Sequence, residues 1–252
     1  MRLLIDAGNT RIKWAIVDEQ IASSVELGQW PQFGSVSHAE FSSGNVPWQG
    51  LSSERVLVSN VAGLALREQL EKTFNPRHGQ VSWFQSQAQH AGLSNRYREP
   101  SKLGSDRFAS AIAAHTLFPN RHLIVATCGT ATTIDAVTAQ GEFIGGQIAP
   151  GLQLMAQSLA QNTAQLPSVL ERMNFAVSFA DHTEAAIISG CLAAQAGAIE
   201  RAVREFAKQL DSAILPLCVI SGGAAKYITP SLVVPYQFID NLVLMGLQAA
   251  SC

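Results

Sequence analysis

The alternation of apolar and polar positions predicts a chain of short strands and longer helices. Leu3-Leu4-Ile5 is an apolar run that ends at Asp6-Ala7-Gly8-Asn9-Thr10. Beyond it, Ile12, Trp14 and Ile16 alternate with Lys13, Ala15 and Val17, and a period of two predicts a strand. The Gly-Asn-containing link between them predicts a tight hairpin, because Gly and Asn tolerate positive φ. The same arrangement returns later. His122-Leu123-Ile124-Val125-Ala126 is apolar, Thr127-Cys128-Gly129-Thr130-Ala131 is a turn of small residues, and Thr132 to Val137 is a β-branched second strand. Gly129 follows Gly8 by 121 residues, close to half the chain. Two copies of strand, small turn, strand predict a duplicated α/β fold with a cleft between its halves, although two unrelated hairpins would read alike.

Around these hairpins, Val56 to Val61 and Leu217 to Ile220 read as buried strands. Leu64 to Phe74, Asp106 to Leu117 and Thr183 to Leu210 carry helical patterns. Strands alternating with helices indicate the α/β class. The region from Gly28 to Gly50, rich in Gly, Ser, Pro and Gln, predicts loop or irregular strand.

Composition narrows the function classes. At 252 residues the chain is one large domain or two small ones at ~150 residues per domain. Hydrophobic residues make up 47% and charged residues 14%, which supplies a sizeable core and excludes a disordered chain. The net charge of -2 argues against a basic nucleic-acid platform. No run of ~18 apolar residues predicts a membrane span, and Asp6 interrupts any signal-peptide core. The four cysteines, Cys128, Cys191, Cys218 and Cys252, lack metal-ligand spacing and read as reduced thiols of a cytoplasmic protein.

Small-residue turns follow strand runs at Gly8, Gly129 and Gly222-Gly223, and Gly145-Gly146 is a further glycine pair. Such turns bind phosphate because backbone N–H groups converge where no Cβ intrudes. None matches a P-loop or a dinucleotide fingerprint. Asp6 at a strand end is either a turn-capping residue or a Mg²⁺ partner acting through water. Lys13 is either a solvent-facing strand residue or a phosphate contact. Ser105 or Asp106 is a candidate helix cap. Alternatively, Asp106 is a base and Arg107 a clamp for an anionic or polar substrate.

These residues together resemble the type III pantothenate kinases of the acetate and sugar kinase/heat-shock/actin superfamily. Asp6-x-Gly8-Asn9-Thr10-x-x-Lys13 is similar to the first phosphate motif, and Gly129-Thr130-Ala131-x-Thr133-x-Asp135 to the second. Tyr97-x-x-Pro100-x-x-Leu103-Gly104-x-Asp106-Arg107 is similar to the pantothenate-binding segment. Gly145-Gly146-x-Ile148-x-Pro150-Gly151, followed by Leu166-Pro167, resembles a stretch that helps enclose pantothenate. Thr183-x-x-Ala186-Ile187-x-x-Gly190 also fits, as does Ser221-Gly222-Gly223-Ala224 as the adenosine-side turn. The joint, ordered presence of Gly-x-Asp-Arg and Gly-Gly-x-x-x-Pro-Gly is the specific part.

The resemblance implies a duplicated ribonuclease-H-like (actin-like) fold, with mixed sheets flanked by helices, in halves 1–118 and 119–252 with a nucleotide cleft between them. It implies phosphorylation of pantothenate by ATP with Mg²⁺, the first step of coenzyme A synthesis, in a cytoplasmic homodimer that engages neither nucleic acid nor membrane. Asp106 would be the general base. Tyr97, Gly104, Asp106, Arg107, Gly146 and Thr183 would bind pantothenate, Arg107 through its carboxylate and Thr183 near the partner's site. Asp6, Gly8, Asn9, Thr10, Lys13, Gly129, Thr130, Ala131, Thr132, Gly222 and Gly223 would bind ATP, with Asp6 orienting Mg²⁺. Thr127 stands where many members carry an Asp that helps bind a monovalent cation (K⁺ or NH₄⁺), so that site is in question. Competing expectations are another enzyme of the superfamily, such as a kinase for another small hydroxyl substrate or a polyphosphate-type phosphatase, and a non-catalytic regulatory factor on the same fold.

Overall fold

The computed structural model describes residues 1–18, 26–44, 46–48, 55–74, 80–161 and 178–251, in two compact units. The first unit comprises Met1–Pro119, Gly141–Phe143 and Asn241–Cys252, and the second Asn120–Gln140 and Ile144–Asp240. The division therefore differs from a single cut between residues 118 and 119.

In the first unit the elements run β1 (Arg2–Ala7), β2 (Arg11–Val17), β3 (Gln32–Ser37), α1 (His38–Ser42), β4 (Arg55–Asn60), α2 (Leu64–Phe74) and β5 (Gln80–Trp83). Two short strands, β6 (Gln89–His90) and β7 (Leu93–Asn95), precede α3 (Ser105–Leu117). The sheet order is β3-β2-β1-β4-β5, antiparallel across β3, β2 and β1 and parallel across β1, β4 and β5. Side chains alternate across a strand. Leu3, Ile5 and Ala7 enter one core with Trp14, Trp48, Val58, Leu70 and Phe74, while Leu4, and with it Asp6, takes the other face. Gly28–Gly50, expected to be irregular, contains β3 and α1. The strand was hard to read because only Val36 of β3 is buried on this sheet edge. Its helix start is a capping box: the Glu40 N–H donates to Ser37 Oγ at 3.2 Å, and the Ser37 N–H donates to Glu40 Oε2 at 2.6 Å.

The second unit repeats this topology. It contains β8 (Leu123–Cys128), β9 (Ala131–Val137), β10 (Glu142–Pro150), α4 (Leu152–Gln161), α5 (Thr183–Gln209), β11 (Leu217–Ser221), α6 (Ala225–Ile228) and β12 (Tyr236–Phe238). The order β10-β9-β8-β11-β12 matches that of the first sheet, again with an antiparallel hairpin and parallel later strands. Ile124, Ala126 and Cys128 face this core as Leu3, Ile5 and Ala7 face theirs. This is a duplicated ribonuclease-H-like α/β fold. The 27-residue α5 is long and apolar enough, by length and composition alone, to cross a membrane. Its buried residues, from Cys191 through Gln195, Ile199 and Val203 to Phe206, recur with helical spacing against the core.

Two chain segments cross the sequence midpoint to join the first unit. The closing helix α7 (Leu242–Ala249) buries Leu242, Val243, Leu244 and Leu247. It packs on α3 so closely that a Cβ at Gly246 would lie 1.9 Å from the Ala109 carbonyl oxygen. Trp30 Nε1 donates to Gln248 Oε1 at 2.8 Å, and Arg2 Nη1 to the Ser251 carbonyl at 2.7 Å. The start of β10, Glu142 and Phe143, pairs with Ser94 and Asn95 of β7.

Candidate functional site

In the first unit, β1 delivers Asp6 to the sheet end. Strand register puts Lys13 opposite it on β2 and Ser59 opposite it on β4. Ser59 is fully buried and its hydroxyl lies 2.8 Å from that of Ser105, in the first turn of α3. That bond fixes the helix start against β4 and brings Asp106 into the field of Asp6. Asp6 is half-buried, and loss of water is the main cause that pushes its carboxyl from 3.8 to about 7; Lys13 opposes the shift and Asp106 adds to it. Asp106 is raised as well, again chiefly by loss of water, against hydrogen bonding and the charge of Arg107. The two acids thus lie in one dry, mutually repelling environment beside two cations, a setting typical of reactive groups.

The tight turn Gly8-Asn9-Thr10 projects Asn9 and Thr10 outward, and the Gly8 N–H donates to the Arg11 carbonyl at 3.2 Å. His38 Nε2 lies 3.0 Å from the Gly8 carbonyl and anchors the turn. At the head of α3 the N-cap position is Gly104, and no side chain caps it. Capping therefore does not account for Asp106. Its Oδ1 accepts the Arg107 N–H at 2.8 Å. A Cβ on Gly104 would come within 2.7 Å of that oxygen, so glycine is what lets the carboxylate sit there. Arg107 is buried, with Tyr97 and Phe143 around its guanidinium.

In the second unit the corresponding register neighbours are Thr127, Thr133 and Ser221. Hydroxyls stand where the first unit has a carboxylate, an ammonium and a hydroxyl. Thr133 Oγ1 is buried with no partner among the described residues. The turn Gly129-Thr130 is exposed, with Ala131 beside it, and two distant glycines back it. A Cβ at Gly151 would lie 2.1 Å from the Gly129 carbonyl oxygen, and one at Gly222, whose φ is +96°, 2.3 Å from that of Cys128. The motifs around residues 129, 151 and 222 therefore form one backbone cradle, in which Gly223 is exposed and the Ala224 N–H donates to the Cys128 carbonyl at 3.1 Å. Thr132 is buried and turned to the Cys128 thiol, which burial pushes to about 12. Gly146 and Thr183 are exposed, the latter as the first residue of α5. Leu166-Pro167 lies outside the described residues.

The family model of type III pantothenate kinase matches residues 2–205. The chain belongs to the type III pantothenate kinase family. A type III pantothenate kinase of Janthinobacterium sp. (strain Marseille) is 54% identical over 255 residues, covering 100% of this chain and 97% of the relative. One from Herminiimonas arsenicoxydans is 53% identical over 253 residues, with the same coverage. Among solved structures, a conserved Campylobacter jejuni protein described as a Baf family transcriptional activator superposes with a TM-score of 0.59. It covers 98% of this chain and 95% of its own, and at 17% identity it shows the fold alone.

Within that family frame, the structure gathers Asp6, Lys13, Asp106, Arg107 and Tyr97 in the first unit and Gly129, Thr130, Gly222 and Gly223 in the second. Ser59 and Phe143 were not anticipated. Ser59 carried one signal, a lone hydroxyl at the end of an apolar strand. Phe143 carried none, because a single Phe among glycines and apolar residues marks no chemistry.

Proposed function

We propose that the chain transfers the γ-phosphoryl group of ATP to the hydroxyl of pantothenate, through Asp106 and Arg107 at the head of α3. The observation that carries this reading is a raised, half-buried carboxylate next in sequence to a buried guanidinium. The substrate hydroxyl oxygen attacks the γ-phosphorus as the bond to the β–γ bridging oxygen breaks. Asp106 takes the hydroxyl proton, and ADP leaves. A base raised toward the working pH accepts a proton more readily than an ordinary carboxylate. The Arg107 guanidinium grips the pantothenate carboxylate with two parallel N–H bonds, with Tyr97 and Gly104 on the same unit; on this reading Gly146 is a pantothenate residue of the second unit and Thr183 serves the partner's substrate.

Lys13 and the amides of Asn9 and Thr10 bind phosphate oxygens from the first unit, where Gly8 has no Cβ to block their approach. Gly129, Thr130, Ala131 and Thr132 do so from the second, with Gly222 and Gly223 on the adenosine side. Asp6 suits a hard cation: it is an oxygen donor at a strand end, and a bound cation would offset the loss of water that raises its carboxyl. Among the described residues no group of three His, Cys, Asp or Glu converges, which fits an ion held mainly by water and phosphate. Bound there, Mg²⁺ would neutralise charge on the transferred group.

A monovalent cation at Thr127 would meet hydroxyls from Thr127 and its register neighbours Thr133 and Ser221. The homodimer belongs to the same reading. Ala186, Gly190, Ala193, Ala194 and Gly197 leave a small-residue face exposed on α5, one a second helix can approach closely. A cytoplasmic setting agrees with the free, buried Cys128, Cys191 and Cys218.

The test is ADP release by purified protein with ATP and Mg²⁺, with and without pantothenate. Release that depends on pantothenate is expected. Release independent of it, or driven equally by other small alcohols, would refute the substrate.

A further inference from the structure

Arg107 is only 6% exposed, so its guanidinium is held by protein more than by water. Its Cζ lies over the Tyr97 ring, 5.7 Å from the centroid, and over the Phe143 ring, 5.9 Å away. Both distances fall inside the ~6 Å range over which an aromatic face attracts a cation. Nη1 also donates to the Tyr97 hydroxyl at 3.4 Å. The rings meet edge to face, centroids 6.3 Å apart at 62°, and so form one corner around the cation.

A single short strand pairing builds this corner. Phe143 is in register with Asn95, and its carbonyl accepts the Arg96 N–H at 2.9 Å. The neighbouring Arg96 and Glu142 side chains form an ion pair. Asn95, itself buried, accepts the Tyr97 N–H at 3.0 Å and donates to the Pro100 carbonyl at 3.2 Å. The pairing of Glu142 and Phe143 with Ser94 and Asn95 thus fixes Phe143, and Asn95 fixes Tyr97.

We propose that Phe143 is a positioning residue that sets the plane of the Arg107 guanidinium and so favours substrates bearing a carboxylate. The inference rests on the reading of Arg107 as the carboxylate clamp. Two parallel N–H bonds form only when the guanidinium edge meets the carboxylate in plane. A ring face restrains that plane, and an aliphatic side chain of similar volume does not. Binding must then order the side chain at its own cost.

Full-length Phe143→Leu and Phe143→Met would be compared with wild type for KM and kcat on pantothenate, on its neutral carboxamide analogue and on ATP. Thermal melting would accompany each. The expected result is a pantothenate KM raised about 5- to 10-fold. The KM for the carboxamide and for ATP, and kcat, stay within about twofold. In an Arg107→Met background, Phe143→Leu adds nothing further to the pantothenate KM. Equal rises for pantothenate and carboxamide, or full additivity with Arg107→Met, would overturn the proposal. So would loss of cooperative melting in both variants, because Phe143 would then be core packing. An inactive wild type refutes the kinase reading itself, whereas an active wild type with unaltered Phe143 variants refutes only the positioning role.

Discussion

Replacing Asp6 by Asn should make the protein more stable and much less active, and the stability gain should grow with pH. The wild-type carboxyl is raised from 3.8 to about 7 when folded, so between those values the folded state binds a proton that the unfolded state has released. Stability therefore falls as pH rises through that window, and below about pH 4 the penalty is absent. A displacement of about 3 units is worth at most about 4 kcal/mol. That displacement already contains the opposing attraction of Lys13, and water reaching the half-buried carboxyl screens it to about 2–3 kcal/mol. A net gain of about 2–3 kcal/mol at pH 8 corresponds to roughly 4–10 °C in melting temperature for a chain of this size. At pH 5 the gain should be about a third of that, because only the part of the window below pH 5 has been crossed. Melting followed by circular dichroism at pH 5 and pH 8, for both proteins, gives the comparison. Turnover should drop by about 10²-fold or more, because on the proposed reading Asp6 orients the ion that neutralises the transferred phosphoryl group. An equal shift at both pH values would refute the titration argument. Near wild-type turnover at saturating Mg²⁺ would refute the catalytic one.

The other expectations concern single residues or ions. Asp106→Asn should lower kcat by about 10²-fold with little change in melting, since Gly104 and not Asp106 holds the N-cap position; a nearly active variant would remove the base assignment. Arg107→Lys should raise the pantothenate KM by roughly 10-fold or more while sparing the ATP KM, and equal rises would show that it supports the fold instead. Activity in buffers freed of K⁺ and NH₄⁺ should persist, because the hydroxyls at Thr127, Thr133 and Ser221 attract a cation far less than a carboxylate does. An absolute requirement, with the bound ion located at Thr127, would contradict that. Gly246→Ala places a methyl 1.9 Å from the Ala109 carbonyl oxygen and should cost about 3 kcal/mol, seen as a melting temperature lowered by several degrees; unchanged melting would mean that α3 and α7 separate freely.

Much of the duplicated fold could be read from periodicity. The hairpins at Gly8 and Gly129, the helices over residues 64–74 and 183–209, and the strand before Gly222 all follow local patterns that tertiary packing preserved. The ordered motifs also carried the family, because small-residue turns of this kind occur together and in this order across its length. Other features had no local cause. The return of residues 241–252 to the first unit depends on which helix can accept a glycine-tight contact, and a pattern that is apolar on all sides says only that α7 is buried. The character of Asp6 and Asp106 was equally hidden. Each sits beside residues that would ordinarily leave it ionised, and only the packing of β1, β4 and α3 removed the water that would have kept them so. Phe143 stands 36 residues from Arg107, and nothing in the local sequence pattern places a cation beside it. A two-residue pairing with β7 turns it instead toward the guanidinium, because side-chain neighbours in a sheet are chosen by register and not by distance along the chain.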